Sequence, residues 1–242
     1  MSASIGRRLA AEGTGTAMLA AVVVGSGIMA QRTSTDVGLQ LLENSIATGA
    51  GLVALILAFG WVSGAHFNPV VTLAEVAFGG LPKLEGVAYA AAQVVGACVG
   101  TIVANLMFDL PAVTASTHER TGGPIWLGEV VATFGLLIVI LGVVRSGRIG
   151  AAPFAVGGYI AAAYWFTSST SFANPAIDVG RSLTDTFAGI APSSVPAFIV
   201  AQVAGAALAI GFAALVFHER RGTELVVPHL DADRPDPSEE PT

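Results

Sequence analysis

Residues 171–181 of the chain read SFANPAIDVGR, and residues 64–76 read GAHFNPVVTLAEV. Each stretch places an Asn, Asn174 or Asn68, directly before a Pro at the start of a short apolar run. Asn is a favourable helix N-cap, and Pro suits the first helical position because the N–H that it lacks would have no partner there. Both stretches are therefore predicted to begin a helix at the Asn-Pro step.

The chain around these stretches is strongly apolar. Of its 242 residues, 53% are hydrophobic and 12% are charged, whereas a soluble domain has about 25% charged residues. An apolar run of roughly 17–25 residues can cross a bilayer. Six such runs cover about residues 9–30, 39–60, 84–108, 125–144, 150–166 and 193–217. The composition predicts an all-α integral membrane protein and excludes a soluble globular domain.

The Lys and Arg residues are unevenly distributed over a six-span arrangement. Eight of the eleven fall on one side of the membrane: Arg7, Arg8, Lys83, Arg145, Arg148, Arg220, Arg221 and Arg234. Arg32 and Arg120 fall on the other side, and Arg181 lies in the second Asn-Pro stretch. The positive-inside rule therefore predicts that both ends, 1–8 and 218–242, lie in the cytoplasm. We expect the protein to be in the plasma membrane. The second of these ends is polar, acidic and Pro-rich, which predicts disorder.

The chain also contains an internal repeat. Residues 91–108 align without gaps with residues 200–217, and the two Asn-Pro stretches each follow the second span of a half. Each half, about 9–108 and 125–217, contains three spans, which is an odd number, so the halves must cross the membrane in opposite orientations. Such inverted repeats form sites at the midplane of the membrane from interrupted helices.

The Asn-Pro stretches are too short to cross the membrane. We predict about eleven helical residues in each, over 69–79 and 175–185, which is roughly 16 Å, or half of the hydrocarbon core. Two of them meeting end to end would span it, which predicts two re-entrant half-helices whose N-terminal ends touch at the midplane. The alternative, an ordinary capped surface helix, fits one such stretch better than two at equivalent places in a repeat.

Two half-helices arranged in this way would favour neutral solutes. Each N-terminal end carries about half a positive charge, which opposes cations at the centre of the membrane. The amides of Asn68 and Asn174 would each present N–H donors to the lumen. A chain of water molecules must then accept at both asparagines, so its hydrogen-bond polarity reverses there and proton passage is disfavoured.

Glu12 and Glu129 stand in the first span of each half. Unwound backbone at membrane depth needs internal hydrogen-bond partners, and we predict that these carboxylates receive the N–H groups of the re-entrant loops. A proton relay is the alternative, because an ionisable residue inside a membrane is a functional candidate. His66, two residues before Asn68, either lines the lumen or fixes the loop.

Together these features resemble the aquaporin, or major intrinsic protein, family. The resemblance covers about residues 9–217 and rests on six spans in inverted halves, a Glu in each first span and two boxes of the Asn-Pro-Ala type. The boxes consist of Asn68, Pro69 and Val70 and of Asn174, Pro175 and Ala176. The resemblance implies a homotetramer in membrane lipid, in which each protomer has its own pore for water or small neutral solutes.

The resemblance also implies an outer selectivity filter of four positions, one of which is normally an Arg three residues after the second Asn. In this chain that residue is Ile177. The other three positions fall near Thr48, Ala162 and Ser171, with Ala163 or Phe172 as alternatives. This set is small, uncharged and mostly apolar, which predicts a wider constriction with fewer donors than a strictly water-selective member has.

The stretch around Ile177 is similar to that of a bacterial branch associated with arsenic resistance, which also lacks this Arg. The similarity implies glycerol-like polyols and undissociated arsenous or antimonous acid as solutes. Arg181, about one turn beyond Ile177, either supplies a charge near the outer mouth of the pore or pairs with Asp178 or Asp185. By the symmetry of the repeat, Glu75 takes the equivalent place toward the cytoplasmic mouth.

Other functions stay open at this point. An ion- or proton-coupled transporter with broken helices would need ionisable groups near the midplane beyond Glu12 and Glu129. A strictly water-selective aquaporin and a non-conducting structural member of the family are further alternatives. The sequence shows no nucleotide-binding loop, no His/Cys metal cluster and no Ser/His/Asp arrangement, so we predict no enzyme activity, no cofactor, no bound metal and no nucleic-acid partner.

Overall fold

The computed structural model of the protein describes residues 3–217, which form helices and loops without a strand. The eight α-helices are α1 (Ile5–Thr33), α2 (Val37–Ser63), α3 (Pro69–Ala77), α4 (Lys83–Met107), α5 (Gly123–Arg145), α6 (Ala152–Phe166), α7 (Pro175–Arg181) and α8 (Val195–Val216). A 3₁₀ turn, Ile149–Ala151, leads into α6. The predicted disordered segment, 218–242, lies outside the described residues.

Six of these helices are long and apolar enough to cross a membrane. They are α1, α2, α4, α5, α6 with its 3₁₀ turn, and α8, which confirms the six predicted spans and the all-α fold class. The helix α1 begins at Ile5, so the predicted N-terminal segment 1–8 includes its first turn. There Arg8 forms an ion pair with Glu85 at 2.9 Å, which joins the start of α1 to the start of α4.

The two helices that follow the Asn-Pro steps are shorter than the eleven residues predicted for each. The helix α3 has nine residues and α7 has seven, which gives lengths of roughly 14 and 10 Å. After α3, the chain turns at Gly79, whose φ is +81°. After α7, Asp185 accepts hydrogen bonds from Thr117 in the loop between α4 and α5 instead of continuing the helix.

The spans of each half approach closely where the sequence has glycine. A Cβ atom on Gly96 of α4 would lie 2.2 Å from the carbonyl oxygen of Gly13 in α1. In the second half, a Cβ atom on Gly205 of α8 would lie 2.5 Å from the carbonyl oxygen of Val130 in α5. Small residues permit such approaches between helices in lipid, where association depends on van der Waals packing. The aligned repeat therefore builds the same helix contact twice.

Gly100→Val in α4 is expected to reduce the yield and the thermal stability of the folded protein. A Cβ atom at this position would lie 1.9 Å from the carbonyl oxygen of Ala17, and overpacking of this kind costs about 1–3 kcal/mol or more. Gly211→Val in α8 is the matched control, because a Cβ there has no neighbour within 4 Å. Thermal unfolding in detergent measures both variants, and equal unfolding temperatures would contradict the packing argument.

Candidate functional site

The two re-entrant loops meet through their asparagines. The Nδ2 atom of Asn68 donates to the carbonyl oxygen of Ala173 at 2.7 Å, and Nδ2 of Asn174 donates to the carbonyl oxygen of Phe67 at 2.8 Å. Each Oδ1 accepts from the backbone N–H two residues later, at 3.0 and 3.1 Å, and so caps its own helix. The N-terminal ends of α3 and α7 are thereby held together. Each amide uses one N–H in this contact and keeps a second.

Glu12 supports the first re-entrant loop from α1. Its carboxylate accepts from the backbone N–H groups of His66 at 3.0 Å and Phe67 at 2.7 Å. It also accepts from the Ser63 hydroxyl at 2.7 Å and from Nε2 of Gln93 at 2.8 Å. The carboxylate is fully buried, so these four donors replace the water that a charged group would otherwise need.

Glu129 occupies the equivalent position in the second half. It accepts from the backbone N–H groups of Phe172 at 2.9 Å and Ala173 at 2.8 Å, and from Nε2 of Gln202 at 2.6 Å. It is also fully buried. The two carboxylates thus bind the loop N–H groups as a loop-supporting role requires.

The supported backbone adopts the left-handed region. The φ angles are +48° at Phe67 and +46° at Ala173, and Ala65, Thr170 and Ser171 also have positive φ. Non-glycine residues in this region cost of order 1–3 kcal/mol each and persist only where surrounding contacts fix them. The Glu12 and Glu129 carboxylates hold two of these residues directly. In this backbone conformation, the carbonyl groups of Phe67 and Ala173 point toward the asparagine of the opposite loop and accept hydrogen bonds from it.

A cavity of about 60 Å³ lies between the two halves, beside the paired asparagines. Much of its wall is aliphatic, from Leu19, Val23, Leu52, Ile56, Leu136, Ile140, Val156 and Ile160. Its polar wall comes from Thr48, His66, Asn68, Tyr164, Ser171, Asn174 and Arg181. Among the described residues that line the cavity, Arg181 is the one with a permanent charge. The site is thus a small, mostly apolar cavity with several hydrogen-bonding groups on its wall.

The predicted filter residues divide into those that line the cavity and one that does not. Thr48, Ser171, Phe172 and Ile177 line it. Ala162 lies on the exposed face of α6, so the structure contradicts its placement in the filter, and Ala163, the alternative, is buried without lining the cavity.

Tyr164, and not the predicted Ala162, lines the cavity near the end of α6. Its hydroxyl lies 3.1 Å from Oγ1 of Thr48. Val156, Ile160 and Tyr164 are spaced by four residues and share one face of α6, which lines the cavity. That helical spacing is the signal that could have identified Tyr164, because residues four apart lie on one face of a helix.

Arg181 is buried, lines the cavity and forms no ion pair with Asp178 or Asp185 among the described residues. Of its two predicted roles, this placement favours a charge at the pore over a surface pair. Its Nε donates to the carbonyl oxygen of Ala188, and its Cζ lies 3.4 Å from the centroid of the Phe172 ring. Asp185 instead accepts from Thr117, and these hydrogen bonds lower the pKa of the Asp185 carboxyl.

The other predicted site residues are placed as follows. His66 lines the cavity, and its Nδ1 also lies 3.0 Å from Oγ1 of Thr72, so it both faces the lumen and joins its loop to α3. Glu75 is buried at the end of α3 beside Gly80 and does not line the cavity. The remaining box residues, Pro69, Val70, Pro175 and Ala176, form the first turns of α3 and α7 behind the asparagines.

Comparisons with known proteins agree with this geometry. The family profile described as Major intrinsic protein matches residues 1–184. The chain belongs to the major intrinsic protein family. It is therefore a membrane channel and not an enzyme, as the sequence predicts.

Two relatives and one solved structure align with most of this chain. The aquaglyceroporin AqpS of Rhizobium meliloti is 52% identical over 84% of this chain and 87% of its own length. Aquaporin Z of Bradyrhizobium diazoefficiens is 32% identical over 84% of this chain and 90% of its own. The X-ray structure of the aquaglyceroporin from Plasmodium falciparum covers 88% of this chain and 97% of its own with a TM-score of 0.69 at 22% identity, which shows the shared fold.

Proposed function

We propose that this major intrinsic protein is a passive channel for water and small neutral solutes, above all glycerol-like polyols, with one pore in each protomer. The observation that carries the proposal is the cavity beside the paired, capped asparagines of α3 and α7. The named relatives support the same solute class, because AqpS and the Plasmodium falciparum protein are both described as aquaglyceroporins.

The wall of the cavity suits a polyol in two ways. Its aliphatic side can contact the carbon chain of a solute, and its polar side offers hydroxyls and amides to the solute's hydroxyl groups. Oγ of Ser171 is buried, lines the cavity and has no hydrogen-bond partner among the described residues. Burying an unpaired hydroxyl is unfavourable, so a passing hydroxyl or water molecule would find a ready partner here.

The solute range should extend beyond water because the residue at position 177 is Ile. Its aliphatic side chain lines the cavity, and an Arg there would occupy more of the passage and add up to five N–H donors. Undissociated arsenous and antimonous acids belong to the same class of small neutral polyhydroxy solutes as glycerol. We include them in the proposed range.

We also propose a homotetramer in the plasma membrane with both termini in the cytoplasm. Large apolar side chains lie exposed on the outer faces of the spans, among them Leu84, Val87, Val200 and Leu215. Exposed apolar surface of this extent suits lipid or neighbouring protomers rather than water. The distribution of Lys and Arg favours the cytoplasmic termini.

Purified protein in proteoliposomes is expected to accelerate both water and glycerol flux over empty liposomes in stopped-flow light scattering, and to admit arsenous acid. Ile160→Trp should reduce all three fluxes, because a larger side chain at this lining position fills the cavity. Val200→Trp on the exposed face of α8 is the matched control and should leave them unchanged.

The same assay separates the alternatives. Water flux without glycerol flux would indicate a strictly water-selective aquaporin. Saturable uptake that depends on an ion gradient would indicate a coupled transporter. Folded tetramers without permeability to any of these solutes would contradict the channel proposal.

A further inference from the structure

The cavity carries a permanent charge one helical turn beyond position 177. Arg181 is the last residue of α7, lines the cavity and is 3% exposed. A guanidinium group has five N–H donors, of which the Nε–H is bound to the carbonyl oxygen of Ala188. The terminal nitrogens, Nη1 and Nη2, make no hydrogen bond to another described residue. They are therefore free to meet solutes in the cavity.

The guanidinium of Arg181 is held in place by an aromatic ring. Its Cζ lies 3.4 Å from the centroid of Phe172, and the guanidinium of Arg120 lies 4.9 Å from the same ring. Phe172 in turn packs edge-on against Phe198, with ring centroids 5.1 Å apart. A cation over an aromatic face is attracted to the ring, more strongly when it is desolvated. These contacts and the Ala188 carbonyl fix the charge at the pore wall.

No carboxylate among the described residues lines the cavity beside this charge. Asp178 and Glu129 are close enough to attract the Arg181 guanidinium, but both are fully buried outside the cavity lining. Glu129 is engaged by the second re-entrant loop and by Gln202. Neither acid forms an ion pair with Arg181 within the described part of the chain. Solutes in the cavity therefore face the guanidinium of Arg181 directly and neither carboxylate.

From these contacts we infer that this pore separates selection by charge from selection by size. Arg181 is a specificity-determining residue that excludes cations, and Ile177, with the other uncharged side chains that line the cavity, sets the largest neutral solute that passes. Ile177 and Arg181 are four residues apart on α7, so their backbones differ by about 6 Å along the helix. The inference rests on the proposed function, since it concerns the selectivity of the same pore.

The separation has a consequence for solute range. A single Arg in the narrowest layer would provide charge and fill volume at once. Here Ile177 leaves room for larger neutral solutes, and the charge comes from a residue on the next turn of α7. The pore can therefore be wide without becoming permeable to potassium ions or protons.

The test measures potassium and proton flux beside water and glycerol flux in the same proteoliposomes. Arg181→Met keeps much of the side-chain length and removes the charge, so cation flux should rise at least tenfold, because like charges repel strongly at a partly desolvated site. The rise in cation flux should exceed any change in the glycerol-to-water flux ratio. Arg181→Lys keeps a positive charge and should keep the exclusion of cations.

Arg32→Met is the matched control. Arg32 also stacks on a phenylalanine, with Cζ 5.1 Å from the Phe108 centroid, and also donates to a backbone carbonyl, that of Phe108. It is exposed and does not line the cavity, so its loss should not raise cation flux.

A second variant decides the question if Arg181→Met does not fold. Ile177→Glu places a carboxylate four residues before Arg181 on α7, the spacing at which opposite charges on a helix pair. It neutralises the charge without removing Arg181 and should raise cation flux, whereas the uncharged control Ile177→Gln should not.

Native protein without water flux would contradict the proposed function itself. Normal water flux in Arg181→Met or Ile177→Glu without a rise in cation flux would overturn the role of Arg181 alone. Cation leak in Arg181→Lys equal to that in Arg181→Met would overturn it as well, because the charge would then not be what excludes cations.

Discussion

Glu12→Gln and Glu129→Gln are each expected to reduce the amount of folded protein and its thermal stability far more than they change solute selectivity. Each carboxylate receives two backbone N–H groups of a re-entrant loop, in addition to a Gln side-chain amide. A Gln side chain keeps one acceptor oxygen but turns an NH₂ group toward donors. A buried donor left without a partner costs about 1–3 kcal/mol, and each variant creates at least one.

The loss of stability should exceed the cost of one unpaired donor, because the same hydrogen bonds also hold strained backbone in place. Phe67 and Ala173 adopt positive φ, and each donates its N–H to one of these carboxylates. Their carbonyl groups accept from the asparagines of the opposite loop. Loosening one loop should therefore weaken both Asn contacts at the midplane.

Thermal unfolding in detergent and the yield of monodisperse protein measure this effect. Glu43→Gln is the control, since Glu43 lies in α2 and makes no hydrogen bond to either loop among the described residues. A different result would favour the proton-relay alternative. In that case both Gln variants would keep native thermal stability, and a pH dependence of solute flux seen in the native protein would disappear.

The architecture could be predicted from sequence because its signals are local. Apolar length identifies the six spans, and the Asn-Pro steps identify the starts of α3 and α7. The lengths of these two helices were overestimated, because their ends depend on contacts that lie far away in sequence. Asp185, for example, was predicted to end the second helix, but it lies beyond α7 and accepts a hydrogen bond from the N–H of Thr117.

The outer end of the pore was predicted less well because it depends on side-chain direction. The number of residues between the filter position in α6 and the second Asn-Pro box depends on the length of the intervening loop. An error of two residues in that number moves the predicted position from Tyr164 to Ala162, on another face of the helix. Arg181 has a long, flexible side chain, and a helical pattern fixes only where that side chain begins. Its guanidinium reaches the cavity because Phe172 and the Ala188 carbonyl lie there to receive it, and neither contact has a signature in the sequence.

Ile177→Arg is expected to reduce glycerol flux more than water flux. Ile177 lines the cavity, as do Thr48 and Tyr164, whose hydroxyl oxygens lie 3.1 Å apart. An Arg at position 177 adds volume and up to five N–H donors to the cavity wall. Water is small enough to pass the narrower opening and to accept from those donors. Glycerol must pass with its carbon chain, so it loses more of the space that it needs.

The charge of the new Arg should matter mainly where Arg181 is absent. Two unit charges 4 Å apart repel by about 4 kcal/mol at an effective dielectric constant of 20, so one fixed charge already opposes cations strongly. Ile177→Arg alone should therefore change cation flux little, and in the double variant with Arg181→Met it should restore cation exclusion. Ile177→Met, an apolar change, is the control for the added charge and donors. An unchanged glycerol-to-water ratio in Ile177→Arg would show that size is selected at another layer of the pore.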